Sequence, residues 1–542
     1  MAHKPPKSTL VSSKGGGLLA ELKQKMEPEP PPRQQAKAGT SARLPSIEEE
    51  LKAAFAHRRG PPRAPKVPAP KTKREKGKEY IKFASPELRR AAIAEVKKIG
   101  AGQSTSEPSP SCSNDLGERE FKKLLRLRGA LDGFSATFTG RNGQHIGGDD
   151  AVARRIALGA QRVDLIVDAD DGFFLGYDFG TSTTKAVARY PYGGIDDAFA
   201  IDVPKSIAVL PHLWPTALWF DQPRRRFSLT ATPGAICLHS FKEALIEGRG
   251  LRICAGSGVT MAEAAVGYLA LHLAYCLGSA VEQHPKFKIA RVNVGVPVAA
   301  LKVTPTVALY ERVVNAALFL IPFAPALTLD EVRCTFDAAE GSRISAALYT
   351  ELAGAIAGYS AMPRPFVGGH MIIDCGSATL DMASFALDGL SLRPIAIYDA
   401  RVEHLGADAC TNYQQLGASI DECRRASRYQ EHLVFARTLQ FDRGRFAQSE
   451  GAFPYQVILV GGGIHSGFHE PLFNNMQNAF HRDFYRPELA PGLRYNAMCE
   501  AGRLILADGL ARDPIELRQV GMPGDPPLQP VSLPEVISKD QV

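Results

Sequence analysis

An α/β fold of two related lobes is predicted for residues 171–511 of this 542-residue chain. Apolar strand-like runs alternate there with Ala-rich helical runs. One strand–turn–strand pattern occurs twice, and a further apolar strand runs into three glycines.

The elements follow in chain order. Residues 1–115 read as a disordered, basic, Pro-rich tail, because clusters such as 28–32 and 61–65 leave too little apolar surface to offset chain entropy. Formal charge is about +12 over residues 1–110 and about −5 over the rest, so the basicity belongs to the tail. Two short helical patterns, at 18–23 and 47–55, share Glu-Leu-Lys and have the spacing of segments that fold into a partner's groove. A protein partner is therefore expected at the tail. Nucleic acid is expected to bind only weakly and without sequence preference, because base-stacking aromatics are nearly absent. Residues 101–114 read as a Ser/Pro linker and 116–170 as a helical linker. Within the latter, 118–131 forms a basic amphipathic pattern with Phe121, Leu124, Leu125 and Leu127 on its apolar side.

Beyond residue 171, strands are expected at 173–177, 289–296, 370–373 and 457–460, and helices at 262–277 and 345–357. The apolar run 261–281 is interrupted by Glu263 and His272 and reads as a buried helix, so no membrane is expected. Nine scattered cysteines without Cys-x-x-Cys spacing, and an N-terminus without a continuous apolar segment, predict a reduced cytoplasmic setting.

Three constellations carry chemistry. In the first, the apolar strand 173–177 ends in Asp178, a turn of Gly180, Thr181, Ser182 and Thr183 follows, and a second strand begins near Lys185. Glycine lets backbone N–H groups approach phosphate oxygens, the hydroxyls add donors, and Asp178 suits the shell of a magnesium ion. The second repeats the design 196 residues later: Asp374, Gly376, Ser377, Thr379 and Asp381. The third is the strand 457–460 running into Gly461, Gly462 and Gly463. It lacks dinucleotide-fold spacing, and the chain has no phosphate-loop Gly-Lys-Ser/Thr motif.

These motifs resemble the actin-like ATPase superfamily, and within it the nucleotide-binding domain of the seventy-kilodalton heat-shock chaperone family. Further similarities run in the family's order through 293–298, 240–246, 351–359, 404–408 and 501–511. The resemblance implies duplicated ribonuclease-H-like lobes, at 171–367 and 368–511. It implies bound ATP or ADP with Mg²⁺, with Asp178, Asp374 and Asp381 around the metal. The glycine, serine and threonine residues of the two hairpins, Gly180, Thr181, Ser182, Thr183, Gly376, Ser377 and Thr379, would meet phosphates. Gly461, Gly462 and Gly463 would meet the nucleoside. Lys242, Glu351 and Asp374 would be catalytic. The implied activity is slow ATP hydrolysis by a chaperone-like switch acting on a protein partner.

Two departures stand out. Only 49 residues separate Asp408 from Val457, where the family places a whole further lobe, and Arg437 alone stands where it clusters adenine-packing residues. Only 31 residues follow Ala511, ending in a Pro-rich tail at 512–542, so no peptide-binding domain is expected there. The alternatives are a filament-forming actin relative, a nucleotide-bound scaffold without turnover, and a small-molecule kinase of the same superfamily, since 178–185 also resembles the opening of sugar kinases.

Overall fold

The structure, a computed structural model, describes residues 110–131, 150–162 and 172–520, the last with breaks at 193–196, 209, 302, 339–341, 343, 388–394, 443–454, 470–486 and 519. The predicted disordered tail up to residue 109 with its two helical motifs, residues 132–149 and 163–171, and residues 521–542 lie outside the described residues.

The protein is mixed α/β. Its largest sheet contains β1 (Phe173–Asp178), β2 (Thr183–Arg189), β3 (Ala198–Ala200), β4 (Trp214–Pro215), β8 (Ile289–Val296), β9 (Ser345–Thr350) and β14 (Leu493–Arg494), in the order β14-β3-β2-β1-β8-β9 with β4 beside β2. A second sheet orders β12 (Ile397–Glu403), β11 (Leu380–Leu387), β10 (Gly368–Cys375) and β13 (Gln456–Val460). A small third sheet joins β5 (Leu218–Asp221), β6 (Arg226–Ser228) and β7 (Ile236–Leu238).

The two larger sheets share a plan. In each, the first two strands form an antiparallel hairpin, the third strand pairs antiparallel with the second, and a later strand joins the first in parallel. Both are covered on two faces, which is why their strands read as unbroken apolar runs. In the second sheet, Met371, Ile373, Val457 and Leu459 enter one core while Ile372, Phe385, Ile458 and Val460 enter another, the period of two of a pleated strand.

Helices fill the layers. One core packs the first sheet against α2 (Asp150–Gln161), α4 (Met261–Gln283), α5 (Val298–Leu301), α6 (Thr304–Leu320) and α7 (Leu329–Ala338). Another holds α8 (Glu351–Ser360) and α11 (Ile505–Leu510) together with residues of both large sheets. A third packs the second sheet against α9 (Ala407–Gln415) and α10 (Ile420–Phe441). The helices α8 and α11 cross at glycines: a Cβ on Gly509 would stand 1.8 Å from the Gly354 carbonyl oxygen.

Two expectations need correction. Residues 345–350 of the expected 345–357 helix are the edge strand β9, paired in parallel with β8. Edge pairing overrides the helix propensity of Ser-Ala-Ala-Leu, and the helix starts only at Glu351, where the Thr350 hydroxyl accepts from the Ala353 N–H. At the other end of the chain, the Ser/Pro linker reading fails at its last residues, because α1 (Pro110–Leu131) already starts at Pro110, a residue suited to a first helical turn.

Helix α1 does more than link. Leu124 is buried in the third core with Phe121 and Leu127 against it, whereas Leu125 is exposed. Arg425 of α10 donates to Glu120 at 2.6 Å and Lys123 donates to Glu422 at 2.6 Å. Arg128 reaches Glu247, just past α3 (Phe241–Ile246). Among the described residues, two helical stretches are long and apolar enough to cross a bilayer, but the window in α4 is 94% buried inside the protein and that in 304–326 is 50% buried.

Candidate functional site

The two hairpins match position by position. In the first, Asp178 on β1 stands directly across from Lys185 on β2; in the second, Asp374 on β10 stands directly across from Asp381 on β11. Both turns are tight. The Gly180 N–H donates to the Asp178 carbonyl at 3.0 Å, and the Thr216 hydroxyl donates to the Gly180 carbonyl at 2.8 Å. The Gly376 N–H donates to the Thr379 carbonyl at 2.9 Å, while the N–H groups of Ala407 and Asp408, opening α9, donate to the carbonyls of Gly376 and Ser377. A Cβ on Gly180 would lie 2.1 Å from the Thr183 carbonyl oxygen, so no larger residue fits that turn unchanged.

The cross-strand partners differ in sign. Lys185 Nζ donates to Asp178 Oδ2 at 2.8 Å and neutralises it. Asp374 and Asp381 instead place like charges opposite each other, an unfavourable pairing in a ladder. Burial, with the charges of Asp178 and Glu351, raises the Asp374 pKa to about 7. Burial also pushes Asp381 well above the ordinary aspartate range, helped by Glu351 and Asp374, and its Oδ1 is buried without a hydrogen-bond partner.

Lys242 is not a solvated helix lysine. It is buried on α3, just after Ser240, whose left-handed backbone (φ 59°) sets the helix entry. Its Nζ donates to Glu351 Oε1 at 2.5 Å and lies 5.9 Å from the Phe179 ring centre. Burial opposes the charge of Lys242, but Glu351, Asp178 and Asp381 outweigh it, so the ammonium is held. Burial likewise raises Glu351 against the pull of Lys242. The pair spans two elements of distant sequence, and the late start of α8 is what points Glu351 at it.

Gly461, at φ 86°, turns the chain after β13 into a backbone conformation that L side chains rarely adopt. Space imposes the same choice, since a Cβ there would lie 2.3 Å from Asp374 Oδ1. The turn thus closes on the second hairpin. Together the two hairpins, Lys242, Glu351 and this turn border one open cavity of about 210 Å³.

Asp178, Gly180, Thr181, Ser182, Thr183, Lys242, Glu351, Asp374, Gly376, Ser377, Thr379, Asp381, Gly461, Gly462 and Gly463 all line that cavity. Sequence reasoning missed Lys185, Asp408 and Arg503, which line it too. Lys185 was legible as the residue seven after Asp178, matching Asp381 seven after Asp374. Arg503 carried no local signal. Arg437 does not line the cavity; it donates to Gln440 and lies over the Phe441 ring.

Among the described residues, no three His, Cys, Asp or Glu side chains form a ready-made metal-ligand group. The floor nonetheless suits a cation, because Asp374 and Asp381 face each other with no cross-strand cation and one orphaned oxygen. Magnesium, which takes one or two carboxylates plus phosphate oxygens, fits such a floor better than a caged metal would. No protein-family model matches the chain, and no curated protein matches it.

Proposed function

We propose that the protein is an ATP-binding, slowly hydrolysing ATPase of the actin-like type, closest in plan to the nucleotide-binding domain of the seventy-kilodalton heat-shock chaperones. In this reading it changes conformation around its nucleotide and acts on a protein partner. The observation that carries it is the pair of hairpins in identical register, Asp178 to Lys185 and Asp374 to Asp381, bordering one cavity with a glycine turn beside them. The shared strand order of the two large sheets supports two duplicated lobes, 171–367 and 368–511, with the chain returning to the first sheet at β14.

Bound Mg-ATP supplies the phosphoryl group to be transferred. The hairpin turns offer hydroxyl and backbone N–H donors to its phosphates, from Thr181, Ser182 and Thr183 on one side and Ser377 and Thr379 on the other, while Gly180 and Gly376 keep the turns free of side chains. Asp178, Asp374 and Asp381 would hold the magnesium, directly or through its waters. Lys242, held cationic by Glu351, offers positive charge where the phosphate gains negative charge, and Asp374 would orient the attacking water. Gly461, Gly462 and Gly463 leave room for the nucleoside.

A small-molecule kinase is the second reading, favoured by one observation. The main cavity is lined by carboxylates, Glu351, Asp374 and Asp381 among them, of the kind that take the proton of an acceptor hydroxyl. Release of ADP by the full chain in Mg-ATP decides between them. Slow release without any acceptor, abolished by chelating magnesium, is the expected result. Release only on adding a sugar or other hydroxyl compound would favour the kinase, and no release under either condition would remove both.

A further inference from the structure

We propose that Arg503 is the cation that grips the anionic phosphate chain of the cavity's ligand, an assignment that rests on the nucleotide reading above. Three cationic side chains line the cavity: Lys185, Lys242 and Arg503. The first two are spoken for, Lys185 by Asp178 and Lys242 by Glu351. Arg503 has no such partner among the described residues. Its Nε is buried without a hydrogen bond, and the acidic groups nearest it are Glu500 and the Cys499 thiol, which burial raises to about 11 and so keeps neutral. Glu500 is turned to His465, at 2.9 Å from Nε2.

The position of Arg503 is set from below and above. It ends the short 3-10 turn Ala501–Arg503 that leads into α11, which is locked to the first sheet by Asn293 Nδ2 donating to the Leu510 carbonyl at 2.7 Å. Its guanidinium lies against the glycine turn: a Cβ on Gly462 would stand 2.2 Å from a terminal nitrogen and 2.7 Å from Cζ. A side chain at Gly462 would have to displace the Arg503 guanidinium.

An ion half-withdrawn from water without a counter-ion is costly, and burial here lowers the arginine's pKa below its ordinary value. A ligand anion offsets that cost; a neutral base does not. The planar fork of N–H donors suits two phosphate oxygens at once. Charge in the cavity is then polarised in a way that suits a magnesium-phosphate ligand, with unpaired carboxylates at Asp374 and Asp381 and an unpaired cation across the glycine turn. Arg503 supplies the positive end.

Equilibrium dialysis of the full chain with Mg-ATP, Mg-ADP and adenosine tests this, comparing the parent with Arg503→Gln and Arg503→Lys. Losing a charge-assisted hydrogen bond predicts a loss of about 10- to 100-fold for ATP and ADP in Arg503→Gln, with adenosine unchanged. Arg503→Lys keeps the charge and recovers part of the loss. The salt dependence of ATP binding is shallower in Arg503→Gln than in the parent. Parental ATP affinity in Arg503→Gln overturns the assignment of Arg503 while leaving the nucleotide reading intact. An equal loss for adenosine assigns Arg503 a packing or base-stacking role and overturns the proposal. A parent that binds none of the three overturns the nucleotide reading and this inference with it.

Discussion

Replacing Asp374 by Asn should stabilise the metal-free protein at alkaline pH while destroying its response to Mg-ATP. Asp374 is half-buried on the cavity wall, and its pKa is raised from 3.8 to about 7 by desolvation first and by the charge of Asp178 second. A carboxyl that holds its proton more tightly in the folded state favours folding fully below its unfolded value near 4. It loses that contribution as pH rises through 7. The interval corresponds to about 4 kcal/mol above pH 8, an upper figure because Asp381 opposite titrates with it. Asparagine keeps the shape and never charges. Urea unfolding in chelator, at pH 5 and pH 8, measures the effect. The two proteins should differ little at pH 5, and Asp374→Asn should be the more stable by up to about 4 kcal/mol at pH 8. Adding Mg-ATP should stabilise the parent and leave the variant unchanged. An Asn variant no more stable than the parent at pH 8, or a difference independent of pH, would refute the account of the second hairpin.

Lys242→Ala leaves Glu351 buried and unpaired, and should cost about 3–5 kcal/mol on unfolding. Pairing Lys242→Met with Glu351→Gln should restore most of that stability but not turnover, which should fall about 100-fold in a phosphate-release assay; parental turnover in either variant contradicts the assigned role. Gly509→Ala forces a methyl onto the Gly354 carbonyl and should cost about 3 kcal/mol, read as a lowered melting temperature, and an unchanged melt would mean that the helices α8 and α11 do not cross so closely. Leu124→Ala removes the buried anchor of α1 and should weaken its docking by about 2–5 kcal/mol. Faster tryptic cleavage at Arg126 and Arg128, with the rest of the core intact, is the expected readout, and an unaltered cleavage pattern would argue against docking.

Much of the site was legible because its residues are local. Asp178 with Gly180 and Asp374 with Gly376 sit in hairpins whose turn chemistry and flanking apolar strands are written within fifteen residues or so. The helix at 261–283 was legible from its long apolar run, and the structure adds a capping box of Thr260 and Glu263 at its start. Legibility failed where long-range pairing decides. Ser345-Ala346-Ala347-Leu348 has the composition of a helix and becomes a strand only because β8 offers an edge. Arg503 lies in the segment 501–511, read only as a family similarity, and its guanidinium packs against Gly462, forty-one residues upstream. Lys242 illustrates the mixed case, since its segment suggested a catalytic lysine but nothing local told that Glu351 would meet it.

Titration calorimetry of the full chain with ATP, with and without magnesium, alongside Asp178→Ala tests the central claim most directly. The account predicts saturable binding of ATP to the parent that weakens sharply when magnesium is chelated and is lost or much reduced in Asp178→Ala. Absence of ATP and ADP binding by the folded parent, or equal binding by parent and Asp178→Ala, would contradict it.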